Sequence, residues 1–235
     1  MSSSMRYDCT PEARVTKSLL GYGVIAGPFY VVASVVQGLF APGFDFARDS
    51  WSLLSLGPAG WVHIVVFILT GLMVIAAAIG VHRHIAEGGG RTAWIYLVVY
   101  GALLVLAGVF LPDRPGAGFT AHGMLHLLFG GLGFVAFAVA AFLLARRFAG
   151  TSRALAVSSV IAGVLLLVGF VAIASSGGSV AANVAFTVVV VLAWAWFSWV
   201  SVVFYREAAI EGRVGVTRLR SSTSNSASRV PGDAE

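Results

Sequence analysis

Two histidines four residues apart, His122 and His126, stand at the start of a long apolar segment. Residues at this spacing share one face of a helix, so both imidazoles are expected to point the same way. His63 lies at the start of another apolar segment. Three imidazoles, or two with Asp113, suit Zn²⁺, and an open coordination position would activate a water molecule. The pattern is therefore compatible with a metal-dependent membrane hydrolase.

Other hypotheses compete with this one. The spacing His-x-x-x-His is common by chance, and Gly123 stands where a His-Glu-x-x-His motif has its glutamate. A binding or transport site for a small polar or cationic ligand or an ion is a second hypothesis, with His126 as gate or proton relay. A haem held between His63 and His126 is a minor further hypothesis. No other cofactor is predicted, and a non-enzymatic role is favoured over catalysis.

A purely structural role is the remaining hypothesis. In it, the histidines anchor helix ends at the membrane interface, and His126 bonds to a neighbouring helix. The dipeptide Asp113-Arg114 would then pair with Arg48 and Asp49 of an earlier loop.

Six apolar runs must position these residues. The chain is 58% hydrophobic and 11% charged, whereas soluble domains carry about 25% charged residues. Each run reaches the roughly 20 residues needed to cross a hydrocarbon core, and none contains Asp, Glu, Lys or Arg. We therefore predict an all-α, six-transmembrane-helix bundle with a lipid bilayer as its partner. The predicted spans are Leu19–Phe40, Trp61–Val81, Thr92–Leu111, Ala121–Ala145, Ala154–Ala174 and Ala181–Phe204.

The basic residues predict the orientation of the bundle. Thirteen of the fifteen Lys and Arg residues fall in the two terminal segments and in the second and fourth loops, leaving Arg48 and Arg114 on the other side. Cytoplasmic loops carry this excess, so both termini are predicted to be cytoplasmic in a plasma membrane. Membrane topology also explains the net charge of +5, so no nucleic-acid partner is predicted. The expected organisation is a cytoplasmic segment 1–17, a membrane domain 18–205 and a basic, Ser-rich disordered cytoplasmic tail 206–235.

The long first outer loop mixes apolar and polar residues between Gly43 and Gly57. This mixture predicts a short interfacial or re-entrant helix, with Asp49 or Ser50 as its N-cap. The loop adds to a polar cluster that topology places at one membrane level near the outer boundary. The candidate binding residues of this cluster are Asp45, Asp49, Ser52, Ser55, His63, Asp113, Thr120, His122 and His126.

Small residues inside two spans predict close helix contacts. Gly23 and Gly27 are four residues apart in span one, a spacing that lets a neighbouring helix approach. Gly130, Gly131 and Gly133 in span four are likewise interpreted as packing residues in preference to a ligand cleft.

The motifs in the two long outer loops resemble a known family. They are Ser-Leu-Leu-Ser-Leu-Gly-Pro-Ala-Gly-Trp at residues 52–61, Phe-Leu-Pro-Asp at 110–113 and Thr-Ala-His-Gly-Met-Leu-His at 120–126. The chain resembles, over about residues 18–205, the bacterial and archaeal membrane family called domain of unknown function 998. The resemblance implies a six-helix membrane domain without an established activity. Its pattern includes Ser52, Ser55, Gly57, Trp61, Asp113, Thr120, His122 and His126, whereas Arg114 replaces an expected proline.

A looser similarity links the chain to membrane metal hydrolases such as the alkaline ceramidases. That group has seven spans and three histidines near one membrane face, whereas this chain has six predicted spans and lacks a second His-x-x-x-His. The similarity is one of fold alone.

Overall fold

The computed structural model describes residues 11–85, 90–114 and 116–227, and over 209–227 only the backbone is described. All regular secondary structure in these ranges is helical. The six α-helices are α1 (Pro11–Phe40), α2 (Gly60–His84), α3 (Ala93–Val109), α4 (Ala121–Phe148), α5 (Arg153–Ser175) and α6 (Val180–Ala227). A 3₁₀ helix, Trp51–Leu56, lies between α1 and α2.

Five of these helices are long and apolar enough to cross a membrane, within the residues described: α1, α2, α4, α5 and the 180–208 part of α6. The sixth, α3, is apolar but has 17 residues. At 1.5 Å per residue it is about 26 Å long, shorter than a hydrocarbon core of about 30 Å. The chain is therefore a helical membrane bundle.

Most helix ends lie within three residues of the prediction, and among the differences are the end of α3, the start of α1 and the end of α6. Helix α3 stops at Val109 and not at Leu111, because Pro112 disfavours the helical conformation of the residue before it. Helix α1 already includes Pro11, the first residue described and eight residues before the predicted Leu19.

Helix α6 continues through Ala227, over most of the segment predicted to be a disordered tail. Extending an existing helix avoids the cost of a new nucleus, and this stretch begins with the helix-forming sequence Arg-Glu-Ala-Ala. The predicted cytoplasmic segment 1–17 includes residues 1–10, which lie outside the described residues, as do residues 228–235 of the predicted tail.

The helices form a closed ring in chain order. Consecutive helices pack against each other, and α6 packs back against α1. A Cβ atom added at Gly23 would meet the side chain of Ser201, and one at Gly27 would lie 2.8 Å from the carbonyl oxygen of Trp194. The predicted packing role of Gly23 and Gly27 is confirmed.

A second glycine contact joins α2 and α3. A Cβ atom at Gly71 would lie 2.5 Å from the carbonyl oxygen of Gly101, and one at Gly101 would lie 2.6 Å from that of Gly71. The two backbones are therefore in direct contact, which only residues without a side chain permit.

Polar contacts mark one end of the ring, which we call the basic end. The Nε atom of Arg83 donates to the Thr16 hydroxyl at 3.1 Å, and the Lys17 ammonium lies 4.9 Å above the centre of the Tyr205 ring. The start of α1, the end of α2 and the middle of α6 meet there. The opposite end, called the cavity end, carries the described residues 41–59, 110–114, 116–120 and 176–179, which connect the helices.

The outer surface of the ring is apolar. Val32, Leu39, Val168 and Val171 are each at least 60% exposed although they lie inside apolar helices. An exposed apolar surface around a helical bundle is the surface that lipid covers.

The contact between Gly71 and Gly101 predicts a selective loss of stability. Gly71→Ala should destabilise the protein by about 1–3 kcal/mol, the usual cost of overpacking, because the added methyl group meets a rigid backbone. Gly130→Ala is the matched control, since a Cβ atom there has nothing within 4 Å. Thermal unfolding of detergent-purified variants measures the difference. Equal melting temperatures for the two variants would contradict the contact.

Candidate functional site

A cavity of about 320 Å³ lies inside the ring at the cavity end. All six helices and the 3₁₀ helix line it, and it reaches Tyr100, Leu166 and Trp194. Tyr100 is nine residues from the end of α3, so the cavity extends about 14 Å into the bundle. This volume is within the range of about 300–1,000 Å³ that small-molecule sites occupy.

Aromatic side chains dominate the cavity wall. Their rings contact one another, as in the pairs Tyr30–Trp194 at 5.3 Å and Tyr100–Phe137 at 5.2 Å between ring centres. No Lys or Arg lines the cavity among the residues described, and its polar side chains lie mainly near the mouth. The aromatic lining residues are Tyr30, Trp51, Phe67, Tyr100, Phe119, Phe129, Phe134, Phe137, Phe170, Phe186 and Trp194.

Two of the three span-four glycines face this cavity. Gly130 and Gly133 line it, whereas Gly131 packs against the ring of Phe170. The interpretation as packing residues holds for Gly131 and for Gly133, which also packs against Tyr100 and Leu103 of α3. It was wrong for Gly130, where a Cβ atom would have nothing within 4 Å. The missing side chains of Gly130 and Gly133 leave space inside the ring.

The 3₁₀ helix covers part of the cavity, which Ser50, Trp51, Ser52 and Leu53 line. The predicted short helix in the first loop is therefore present. Ser50 occupies its N-cap position, but no side chain caps the helix. The Ser50 hydroxyl lies instead 3.2 Å from that of Ser52.

Gln37 of α1 fixes this cover. Its side-chain amide nitrogen donates to the carbonyl oxygens of Leu54 and Ala59 at 3.2 and 3.0 Å. Its oxygen lies 3.2 Å from Nδ1 of His63, and because the amide nitrogen already serves the two carbonyls, His63 must donate. One side chain thus joins α1, the 3₁₀ helix and α2.

Asn183 of α6 holds the preceding stretch of the loop from the opposite side. Its amide nitrogen donates to the carbonyl oxygens of Phe46 and Asp49, both at 3.2 Å. The residue is 1% exposed. The first loop is therefore attached to the bundle by two amide side chains, one from each end of the chain's membrane domain.

His63 is a buried structural residue in this arrangement. Its exposure is 0%, its Nδ1 atom pairs with Gln37, and its Nε2 atom is buried without a partner in the part of the chain described. It does not line the cavity.

Asp113 and Thr120 form a cap at the start of α4. Thr120 donates to the Asp113 carboxylate from its backbone nitrogen at 2.9 Å and from its hydroxyl at 2.7 Å. The same hydroxyl accepts from the backbone nitrogen of Gly123 at 3.1 Å. These hydrogen bonds from Thr120 lower the pKa of Asp113. A Cβ atom at Gly123 would collide with the carboxylate, so a larger residue there would displace Asp113 from Thr120.

His126 links the start of α4 to the end of α3. Its Nδ1 atom lies 2.7 Å from the carbonyl oxygen of Ala107 and 2.9 Å from that of Phe110. Because both partners are acceptors, Nδ1 carries the proton. Nε2 is then the ring nitrogen left for other contacts, and the residue lines the cavity.

The three histidines make separate contacts and do not form one site. His122 is exposed and its ring stands 5.5 Å from that of Phe110. No group of three or more His, Cys, Asp or Glu side chains within the described ranges is arranged to hold a metal ion. The structure thus does not assemble the zinc site predicted from His63, His122 and His126 or Asp113. The Phe67 ring contacts both His63 and His126, at 5.1 and 6.2 Å, in the place that a bridging haem would need.

The acidic residues of the first loop organise the loop itself. The backbone nitrogen of Asp45 donates to the Asp49 carboxylate at 2.9 Å, and Arg48 pairs with Asp45 at 3.4 Å. Ser55 donates to the carbonyl oxygen of Ser52 at 2.7 Å. The predicted pairing of Arg48 and Asp49 with Asp113 and Arg114 was wrong, because each carboxylate accepts hydrogen bonds within its own loop.

The predicted polar cluster therefore divides in two. Ser52, Asp113 and His126 line the cavity, whereas Asp45, Asp49, Ser55, His63, Thr120 and His122 lie outside its lining. The sequence analysis missed Gln37 and Asn183, although these are the only Gln and Asn within the apolar runs, and a polar residue inside a span is itself a signal. The aromatic residues of the cavity wall carried no such signal, because all six runs contain at least one aromatic residue and most contain several.

A helical membrane protein with an aromatic cavity between its helices is the class that these observations define. The model of the protein family of unknown function DUF998 matches residues 24–203, and the chain belongs to this family. The resemblance seen in the loop motifs is thereby confirmed. No curated protein and no solved structure matches the chain.

The hydrogen bonds of Gln37 predict that this residue stabilises the cover of the cavity. Gln37→Leu leaves the carbonyls of Leu54 and Ala59 and the ring of His63 without their partner. Leu54 and His63 are buried whereas Ala59 is exposed, so the cost of about 1–3 kcal/mol per unsatisfied buried group applies to Leu54 and His63. Peptides covering residues 41–59 should then exchange amide hydrogen faster, as measured by mass spectrometry. Val36→Leu, on the exposed face of the same helix, is the control. Unchanged protection in the Gln37 variant would show that the cover does not depend on it.

Proposed function

We propose that this chain spans a plasma membrane six times, with both termini in the cytoplasm, and binds an uncharged, largely apolar small molecule in its cavity. The ligand enters from the outer side. The cavity carries this proposal, because it combines an aromatic wall, a polar mouth and no lining cation among the residues described.

The sixth span is α3. It packs between α2 and α4 in the ring, so it takes the same course through the bundle as its neighbours. A helix somewhat shorter than the hydrocarbon core is accommodated by local thinning of the bilayer. Lys and Arg are concentrated at the basic end, which supports a cytoplasmic position for it.

The topology predicts opposite accessibility at the two ends of α3. In a Cys9→Ser background, Ala117→Cys should react with a membrane-impermeant maleimide added to intact cells. Thr92→Cys should react only after permeabilisation. Both positions are exposed in the structure. Labelling of both from the same side would show that α3 does not span, and the reversed pattern would invert the orientation.

Binding is favoured over catalysis because the polar groups at the mouth already serve the fold. Asp113 accepts from Thr120, and Nδ1 of His126 is held by two carbonyl oxygens of the end of α3. The wall offers apolar area and ring faces. Anionic headgroups lack a positive partner there, so an uncharged ligand fits the wall best.

Filling the cavity should abolish binding. Gly130→Leu places a side chain into the open space beside Gly130, whereas Gly130→Ala adds only a methyl group. The uncharged fluorescent probe N-phenyl-1-naphthylamine should bind the wild-type protein and the alanine variant in lipid nanodiscs. We expect at least a tenfold loss of affinity in the leucine variant, since its side chain and the probe compete for the same volume. Equal fluorescence titrations for all three proteins would refute binding in the cavity.

A further inference from the structure

Three polar atoms lie in the deep part of the cavity, away from the mouth. Tyr30 of α1, Tyr100 of α3 and Trp194 of α6 all line the cavity there. The Trp194 ring lies 5.3 Å from that of Tyr30 and 6.0 Å from that of Tyr100. The three side chains therefore form one cluster, which we call the cavity floor.

The polar atoms of the cavity floor are unpaired. The three residues are only 7%, 5% and 4% exposed, respectively. In the described part of the chain, neither tyrosine hydroxyl nor the indole N–H of Trp194 has a hydrogen-bond partner. Each of these polar atoms therefore keeps its hydrogen-bonding capacity for a molecule in the cavity.

These atoms also differ from the other unpaired polar atoms of the core. Nε1 of Trp51 and Nε2 of His63 are sealed inside the protein wall, whereas the floor atoms are not among the sealed atoms. Since their residues line the cavity, the hydroxyls and the indole N–H open onto it. A molecule in the cavity can therefore reach them.

The donors of the cavity floor favour a ligand that carries a hydrogen-bond acceptor. Indole nitrogen is a donor only, and a tyrosine hydroxyl donates one hydrogen bond. A carbonyl oxygen has two lone pairs, so it can accept hydrogen bonds from two of these three donors at once. The rings of Tyr30, Tyr100, Phe137 and Trp194 offer flat apolar faces beside these donors, and such faces stack well on a planar ring.

We propose that the cavity floor recognises the carbonyl oxygen of an uncharged, planar, ring-containing molecule soluble in the membrane. This inference rests on the proposed function of the cavity and specifies its ligand class. The carbonyl oxygen accepts from the floor, and the ring lies between the aromatic side chains above it.

A matched pair of probes distinguishes hydrogen bonding to the cavity floor from apolar binding in the cavity as a whole. Fluorenone and fluorene have the same planar ring system and differ in one carbonyl group. The affinity of each for the purified protein in nanodiscs is measured by equilibrium dialysis. The wild-type protein should bind fluorenone about two- to tenfold more tightly than fluorene, the gain expected from hydrogen bonds to a carbonyl.

Tyr100→Phe and Tyr30→Phe remove only the hydroxyls and should lower the ratio of the fluorenone affinity to the fluorene affinity. Phe137→Leu, which removes a lining ring without touching a polar atom, should weaken both probes and keep the preference. The carbonyl site is refuted if the protein binds fluorene as tightly as fluorenone, or if the preference for fluorenone survives both tyrosine substitutions. Either result leaves the proposal of a binding cavity intact. If neither probe binds the wild-type protein, both proposals fail.

Discussion

Direct contact between helix backbones at glycine residues is the constraint on which the rest of the structure depends. Gly23 and Gly27 bring α1 against α6, and Gly71 and Gly101 bring α2 against α3. In a bilayer the surrounding lipid is as apolar as the helix surface, so close packing must hold helices together. These contacts fix the ring, and a ring of six helices leaves space at its centre that large aromatic side chains only partly fill.

The first loop shows how polar groups inside an apolar protein are used to build a cover. A loop carries backbone groups that must find partners, and lipid offers none. Gln37 and Asn183 supply those partners from inside the bundle, four hydrogen bonds to four carbonyl oxygens. The segment over the cavity is thus held by residues that are themselves buried or nearly so. Such a cover has a defined position without a large hydrophobic core of its own.

The sequence predicted the parts of the fold that depend on composition and periodicity, and it predicted less of the site. Apolar runs and glycine spacing identify the helices and one of their contacts, because these signals are local. The stop of α3 at Val109 has a local cause in Pro112, although the predicted end lay at Leu111. The continuation of α6 was not predicted, since helix propagation depends on the preceding segment. Whether His63, His122 and His126 meet depends on the rotation of three helices, which no local pattern encodes. The same rotation decides which of many aromatic residues face inward.

The glycine between the two histidines of α4 has a consequence for how this protein varies. A side chain at Gly123 would displace the Asp113 carboxylate, which accepts hydrogen bonds from the N-cap residue Thr120. The segment from Thr120 to His126 therefore resembles a metal-binding motif in sequence, while its residues serve the first turn of α4 and the Thr120 cap. Substitutions that keep the cap but exchange the exposed His122 should be tolerated more readily than any change at Gly123. The shape of the helix start therefore constrains Gly123 more than it constrains His122.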